Sequence, residues 1–126
     1  MSITQINVST PSIEILYTST AMGNAVEAIK ASSAKVFWIQ VDNSANVAQT
    51  YVKFVNLASG SVTVGTTPPD LEVYAPPSSI ITQVFFTSAA PGLTFGAALS
   101  AYAVTTSGTA GTVSPASSVV VTVSYV

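Results

Sequence analysis

The sequence predicts an all-β fold: a single-domain antiparallel β-sandwich or jelly roll of about seven to eight short strands. Three observations predict it. Nearly every apolar stretch alternates with period two and is rich in β-branched residues, the pattern of strands with a buried face. Clusters of Asn, Asp, Gly and Pro punctuate those stretches at near-regular spacing. The length of 126 residues suits one domain, which can bury about two-thirds of its unfolded surface without a disulfide or metal staple. No linker or long repeat divides the chain.

Residues 1–11 carry neither the basic stretch nor the apolar core of a secretory leader and form a candidate N-terminal arm. Residues 12–18 (SIEILYT) place Ile13, Ile15 and Tyr17 on one strand face, with Glu14 and Leu16 on the other. Residues 24–34 (NAVEAIKASSA) fit two patterns. Glu27 and Lys30 stand at helical spacing, yet the segment also alternates, and its β neighbours favour the extended form. Residues 35–42 (KVFWIQVD) put Phe37, Ile39 and Val41 on one face and Val36, Trp38 and Gln40 on the other. Both faces are largely apolar, as in a central strand.

The cluster DNSAN (42–46) suits a turn, because Asn and Asp tolerate left-handed geometry. It predicts a hairpin from 35–42 into 49–57 (QTYVKFVNL), where Tyr51 and Lys53 oppose Val52 and Phe54. A short apolar triplet at 62–64 precedes a loop containing Pro68 and Pro69, which lack ladder donors. Leu71–Ala75 and 79–87 read as strands, as does 93–105 with its alternation of small and large residues. Residues 106–116 are a Gly/Ser/Thr-rich loop. The chain ends in a strand at 118–125, with Val119, Val121, Val123 and Tyr125 on one face.

Composition narrows function further. There is no cysteine, histidine or arginine; three lysines and five carboxylates leave 6% of the chain charged and 48% hydrophobic. Without His or Cys there are no ligands for a zinc or haem site and no base for a Ser-His-Asp or Cys-His nucleophile. Three scattered lysines are too few to neutralise several phosphates, so nucleic acid is not an expected partner. Mean hydropathy is +0.57, but no apolar run reaches the 18 or so residues of a spanning helix, and no membrane role is expected. About a quarter of the chain is Ser or Thr, so hydroxyls do the solvating that ions usually do. A neutral surface gives little protection against association.

The remaining acid/base option is Asp70 with Glu72. Two apart on one strand entry, they read as solvated carboxylates rather than a glycosidase pair facing across a cleft. A Ca²⁺ site would need a denser set of oxygen ligands. No catalytic, cofactor-binding or metal-binding residue is therefore expected. Trp38, Tyr51, Phe54, Tyr74, Phe85, Phe86 and Phe95 could stack sugars, but alternating strands usually bury such residues, and Trp38 reads as core. The candidate protein-interface residues are Tyr51 and Lys53, on the less apolar face of their strand, and the amphipathic Tyr102 and Tyr125.

From Phe37 onward the order of motifs resembles small β-sandwich virion proteins of tailed bacteriophages. The matching stretches are WIQVDNSANVAQTYVKFVN (38–56), VTVGTTPPDLEVYAPP (62–77), GLTFGAALSAYAVTT (92–106) and VVVTVSY (119–125). They are spread over about two-thirds of the chain, from Phe37 onward, and its first 30 residues lie outside them. The resemblance implies a non-enzymatic subunit of the virion, assembled in the host cytoplasm. Such a subunit would be a head decoration (cement) protein, or a tail, neck or fibre module that binds a receptor or carbohydrate. The implied partners are the major capsid protein or another virion protein and further copies of the chain, with a trimer suggested by threefold positions on such shells. The absence of arginine departs from many such proteins, and the acidic balance argues against contact with DNA inside the head.

Overall fold

The computed structural model describes residues 14–85 and 91–126. Within them the alternating stretches form nine strands: β1 (Ile15–Met22), β2 (Glu27–Lys30), β3 (Ala34–Asp42), β4 (Thr50–Val55), β5 (Leu71–Ala75), β6 (Ile80–Val84), β7 (Leu93–Phe95), β8 (Leu99–Val104) and β9 (Val119–Tyr125). The ambiguous segment 24–34 is extended and supplies β2. Residues 1–13, including the candidate arm, and Phe86 lie outside the described residues.

Two antiparallel sheets pack face to face. The first has the order β1-β9-β3-β6, with β7 also on β3; the second has the order β2-β8-β4-β5. β6 pairs with Trp38–Asp42 and β7 with Ala34–Val36 along the same side of β3, so they are two halves of one edge strand. Where they meet, Phe85 N donates to Phe37 O at 2.8 Å and Gly92 N to Phe85 O at 2.6 Å. Gly92 has φ of 93°, and a Cβ there would lie 2.5 Å from Lys35 Cγ; glycine is what lets the chain rejoin the ladder.

With β6 and β7 counted as one, the pairings nest as β1–β9, β2–β8, β3–β6/β7 and β4–β5. This is one long antiparallel hairpin, rolled so that β9 also meets β3 and β8 also meets β4. Two four-stranded sheets connected this way form a jelly roll. The core between them takes Val36, Ile39, Val41, Val119, Val121 and Val123 from the first sheet, and Val52, Phe54, Val73, Leu99, Ala101 and Ala103 from the second. Full burial of each Val, Leu, Ile or Phe contributes about 1.5–3 kcal/mol.

Three expectations change. In β3 the register against β9 slips between Val36 and Trp38. The inserted residue reverses the parity of the strand: Ala34 and Val36 face the core before it, Ile39 and Val41 after it. Phe37 therefore does not share a face with Ile39, and Trp38 is half-buried on the outside rather than in the core. Residues 93–105 also split, into β7 of the first sheet and β8 of the second. Asn56 Oδ1 holds the crossing by accepting from Ala97 N at 2.8 Å and Ala98 N at 3.3 Å.

The third change concerns the hairpin from β3 to β4. The two strands lie in different sheets, so DNSAN turns an arch across the sandwich. The arch is filled by buried amides. Asn43 Nδ2 donates to the carbonyls of Ala48 (3.0 Å), Ala75 (3.3 Å) and Pro76 (3.0 Å), while Thr50 Oγ1 donates to Asn43 Oδ1 at 2.8 Å. Asn46 exchanges hydrogen bonds with Ser117, accepting from its N–H at 2.8 Å and donating to its carbonyl at 3.1 Å. These side chains satisfy backbone groups that a two-stranded ladder would otherwise pair.

Candidate functional site

The four candidate interface residues are dispersed. Tyr51 and Lys53 do share a face, the outer face of the second sheet, as the alternation of β4 requires. That face is largely covered by the chain itself. Val62 and Val64 of the β4–β5 connection and Val26 pack on Val55, Tyr102 and Val104. Lys53 Nζ donates to Gly108 O, and Glu72 Oε2 accepts from Gly108 N at 2.9 Å, so the β8–β9 connection closes over the same row. Lys53 and Tyr102 are wholly buried, and Tyr102 Oη has no hydrogen-bond partner among the described residues.

Burial lowers the Lys53 pKa, opposed by the charge of Glu72 directly across the ladder. Burial also raises the pKa of Tyr102, with Glu72 adding to the effect. Tyr125 is buried in the main core. Lys53 and Tyr102 therefore lie beneath connections that roof the second sheet, and Tyr125 lies between the sheets, so none of the three exposes its side chain. Only Tyr51 stays half-exposed, its ring 5.2 Å from that of Tyr74 at the sheet edge.

The outer face of the first sheet carries no comparable roof from the described residues. Three cross-strand rows run over it: Leu16–Ser124–Trp38–Val84, Thr18–Thr122–Gln40–Thr82, and Val120–Asp42–Ile80. Leu16, Val84 and Ile80 are 60%, 54% and 57% exposed. The single charge in these rows, Asp42, is turned onto its own loop. Hydrogen bonds from the Ser44 hydroxyl and N–H hold its carboxyl below the usual range. At the margin, Glu14 accepts from Trp38 Nε1 at 3.1 Å and from Ser124 Oγ. Apart from Asp42, Glu14 and the exposed Lys35 beyond these rows, the face is apolar or hydroxyl-bearing and loses few ions when covered. Alternation alone did not reveal it, because the β3 bulge decides which residues of that strand look outward.

The carboxylates do structural work. Asp70 Oδ2 accepts from Asn56 N at 2.7 Å, and Glu72 holds Gly108. Glu27 joins the two sheets by accepting from Tyr17 Oη at 2.6 Å and Ser19 Oγ at 2.8 Å. No group of three or more His, Cys, Asp or Glu side chains that could hold a metal occurs among the described residues. Asn56, Asp70, Leu93, Thr94 and Phe95 line a small open cleft of about 200 Å³. Among the described residues, the cleft has one carboxylate and no second group placed for proton transfer.

Among the described residues, fold and surface define a small antiparallel jelly roll with one self-covered sheet and one sparsely charged, uncovered sheet. The chain matches no protein-family model, no curated protein and no solved structure.

Proposed function

We propose that the protein is a non-enzymatic structural subunit of a phage virion, most simply one that decorates and cements the capsid shell. The observation that carries this reading is the outer face of the first sheet, with one charge in three cross-strand rows beside a second sheet roofed by its own connections. The resemblance of its motif order to that of small virion proteins supports it, as does a jelly-roll topology common in capsid proteins. The mechanism is surface burial. A specific interface covers about 800 Å² per partner, and desolvating hydroxyls and methyls avoids the penalty of burying ions. Repeated by symmetry over a shell, contacts of modest strength resist expansion together through avidity.

Copy number in purified particles tests this assignment. Hundreds of copies per particle are expected of a decoration subunit, whereas a few to a few tens would place it on the tail, neck or fibre. That second reading, a receptor- or carbohydrate-binding module, is favoured by the Tyr51–Tyr74 pair, whose edge ring is exposed. Saturable glycan binding that Tyr74→Ala removes without unfolding the protein would support it.

A further inference from the structure

An exposed strand edge offers unpaired N–H and C=O groups to any other chain, and proteins blunt such edges with charge, proline, bulges or short strands. Three of the four edges here are blunted. β2 has four residues and carries Glu27 and Lys30. β5 carries Glu72 and is bracketed by Pro69 and Pro76. β1 is broken by a register shift between Ser19 and Met22. The fourth edge is β6 with its short continuation β7, which lies beside the exposed Lys35. β6 itself, Ile-Ile-Thr-Gln-Val, has no charge, proline or bulge.

The ladder fixes which groups of β6 face outward. Phe85 N donates to Phe37 O, and Asn43 N donates to Ser79 O at 2.8 Å. In the antiparallel register Ile81↔Val41 and Gln83↔Ile39, the odd-numbered residues therefore bond to β3. The N–H and C=O groups of Ile80, Thr82 and Val84 point to the open edge. The side chains of the same three residues lie on the outer face of the sheet.

We infer that β6 pairs antiparallel with β6 of a second copy of this chain, about a twofold axis at Thr82. The segment is self-complementary in that register. Thr82 meets the partner's Thr82, and Ile80 meets the partner's Val84, with the reciprocal contact on the other side. All three outward-facing residues are then hydrogen-bonded pairs, so every free group of the strand finds a partner. The facing side chains form a hydroxyl pair flanked by two apolar pairs, combinations that stabilise adjacent strands, and no like charges oppose each other. A twofold contact is closed and isologous, so it gives a dimer rather than a fibre. The two first sheets become one continuous sheet, and their neutral outer faces become one larger surface.

This pairing does not rest on the virion assignment, since it is a property of the isolated chain. Sedimentation of the full chain over a concentration series tests it, with circular dichroism as the check on folding. Wild type is expected to dimerise. Thr82→Pro removes an N–H that β3 does not use, a substitution tolerated on edge strands, and Thr82→Lys sets two charges opposite each other. Each is expected to raise the dimer Kd roughly tenfold or more. Thr18→Lys, exposed at the far end of the same row on β1, is expected to leave the dimer unchanged. A wild-type chain that stays monomeric at its highest soluble concentration would overturn the inference. So would a dimer indifferent to Thr82→Lys, or one lost equally with Thr18→Lys, which would move the contact to the face. If Thr82→Pro fails to fold, Thr82→Lys decides alone.

Discussion

Asn46 donates its side-chain amide to Asn43 Oδ1 at 3.0 Å, and this bond links the two asparagines that carry the chain from one sheet to the other. Asn43 reaches the β3–β4 and β5–β6 connections, and Asn46 reaches the start of β9. The pair therefore ties together three segments distant in sequence. Removing one partner of a buried hydrogen bond costs about 1–3 kcal/mol for each group left unsatisfied. Asn43→Ala is expected to destabilise the protein by about 3 kcal/mol or more in denaturant unfolding. Asn43→Asp is expected to cost at least as much, because it turns a carboxylate oxygen onto the carbonyls of Ala48, Ala75 and Pro76. A loss under about 1 kcal/mol for both would show that the loops hold themselves.

Tyr102 presents the opposite case. Its hydroxyl is buried and unpartnered, so deleting it removes a desolvation cost and breaks no bond. Tyr102→Phe is expected to match or exceed wild-type stability, within about 1–2 kcal/mol, when thermal unfolding is followed by calorimetry. A clear loss of stability would mean that the hydroxyl is bonded.

Stability should vary with alkaline pH in a way that separates Lys53 from the tyrosines. The folded pKa of Lys53 lies below its ordinary 10.5. Between the two values the unfolded chain binds more protons, so stability rises with pH. Burial, then the hydrogen bond to Glu27, lifts Tyr17 from 10.0 to about 12. Above pH 10 the folded chain therefore holds a proton that the unfolded chain releases, and stability falls. Wild type should gain stability as pH rises from the folded pKa of Lys53 towards 10.5, and lose it where the tyrosines titrate. Lys53→Met should abolish the rise and keep the fall, as read from unfolding midpoints across pH. An unchanged rise in that variant would contradict the assignment.

The single tryptophan reports on the open sheet. Trp38 is half-buried on its outer face, so in the free protein its fluorescence should be quenched by acrylamide more readily than a core indole would be. When the face is covered, the emission should shift to the blue and quenching should weaken. Emission that stays constant on assembly would place the contact elsewhere.

What could be read from the sequence was set by the range of the interactions involved. β9 is plain because Val119, Val121, Val123 and Tyr125 alternate without interruption, and burial follows that alternation as far as Val123. β5 is plain because prolines stand just outside both ends. The β3 bulge is hidden, since Val36, Phe37, Trp38 and Ile39 are all apolar and either parity looks acceptable. The arch at DNSAN uses the same turn residues as a hairpin. The choice between them is made by β9 and β8, more than 40 residues downstream, which occupy the edges that β3 and β4 would have offered each other.

The burial of Lys53 and Tyr102 is hidden for a related reason. Period two correctly puts them on the face opposite Val52 and Phe54, but it cannot show what lies above that face. The roof comes from Val62, Val64 and Gly108 in stretches whose composition reads as solvent-exposed loop. The open face of the first sheet could not be chosen before the roofed one was known. The low charge of the chain is compatible with either sheet as a contact surface, and among the described residues packing leaves one of them uncovered.

Thiol labelling tests the central claim, that the outer face of the first sheet is covered in the assembled state. The chain has no cysteine, so Thr122→Cys places a lone thiol in the middle row of that face, and Val47→Cys places one on a residue 91% exposed in the β3–β4 arch. In free protein both should react readily with a maleimide. In purified particles Thr122→Cys should be protected roughly tenfold or more, while Val47→Cys stays reactive. Equal labelling of Thr122→Cys in free and particle-bound protein would contradict the account.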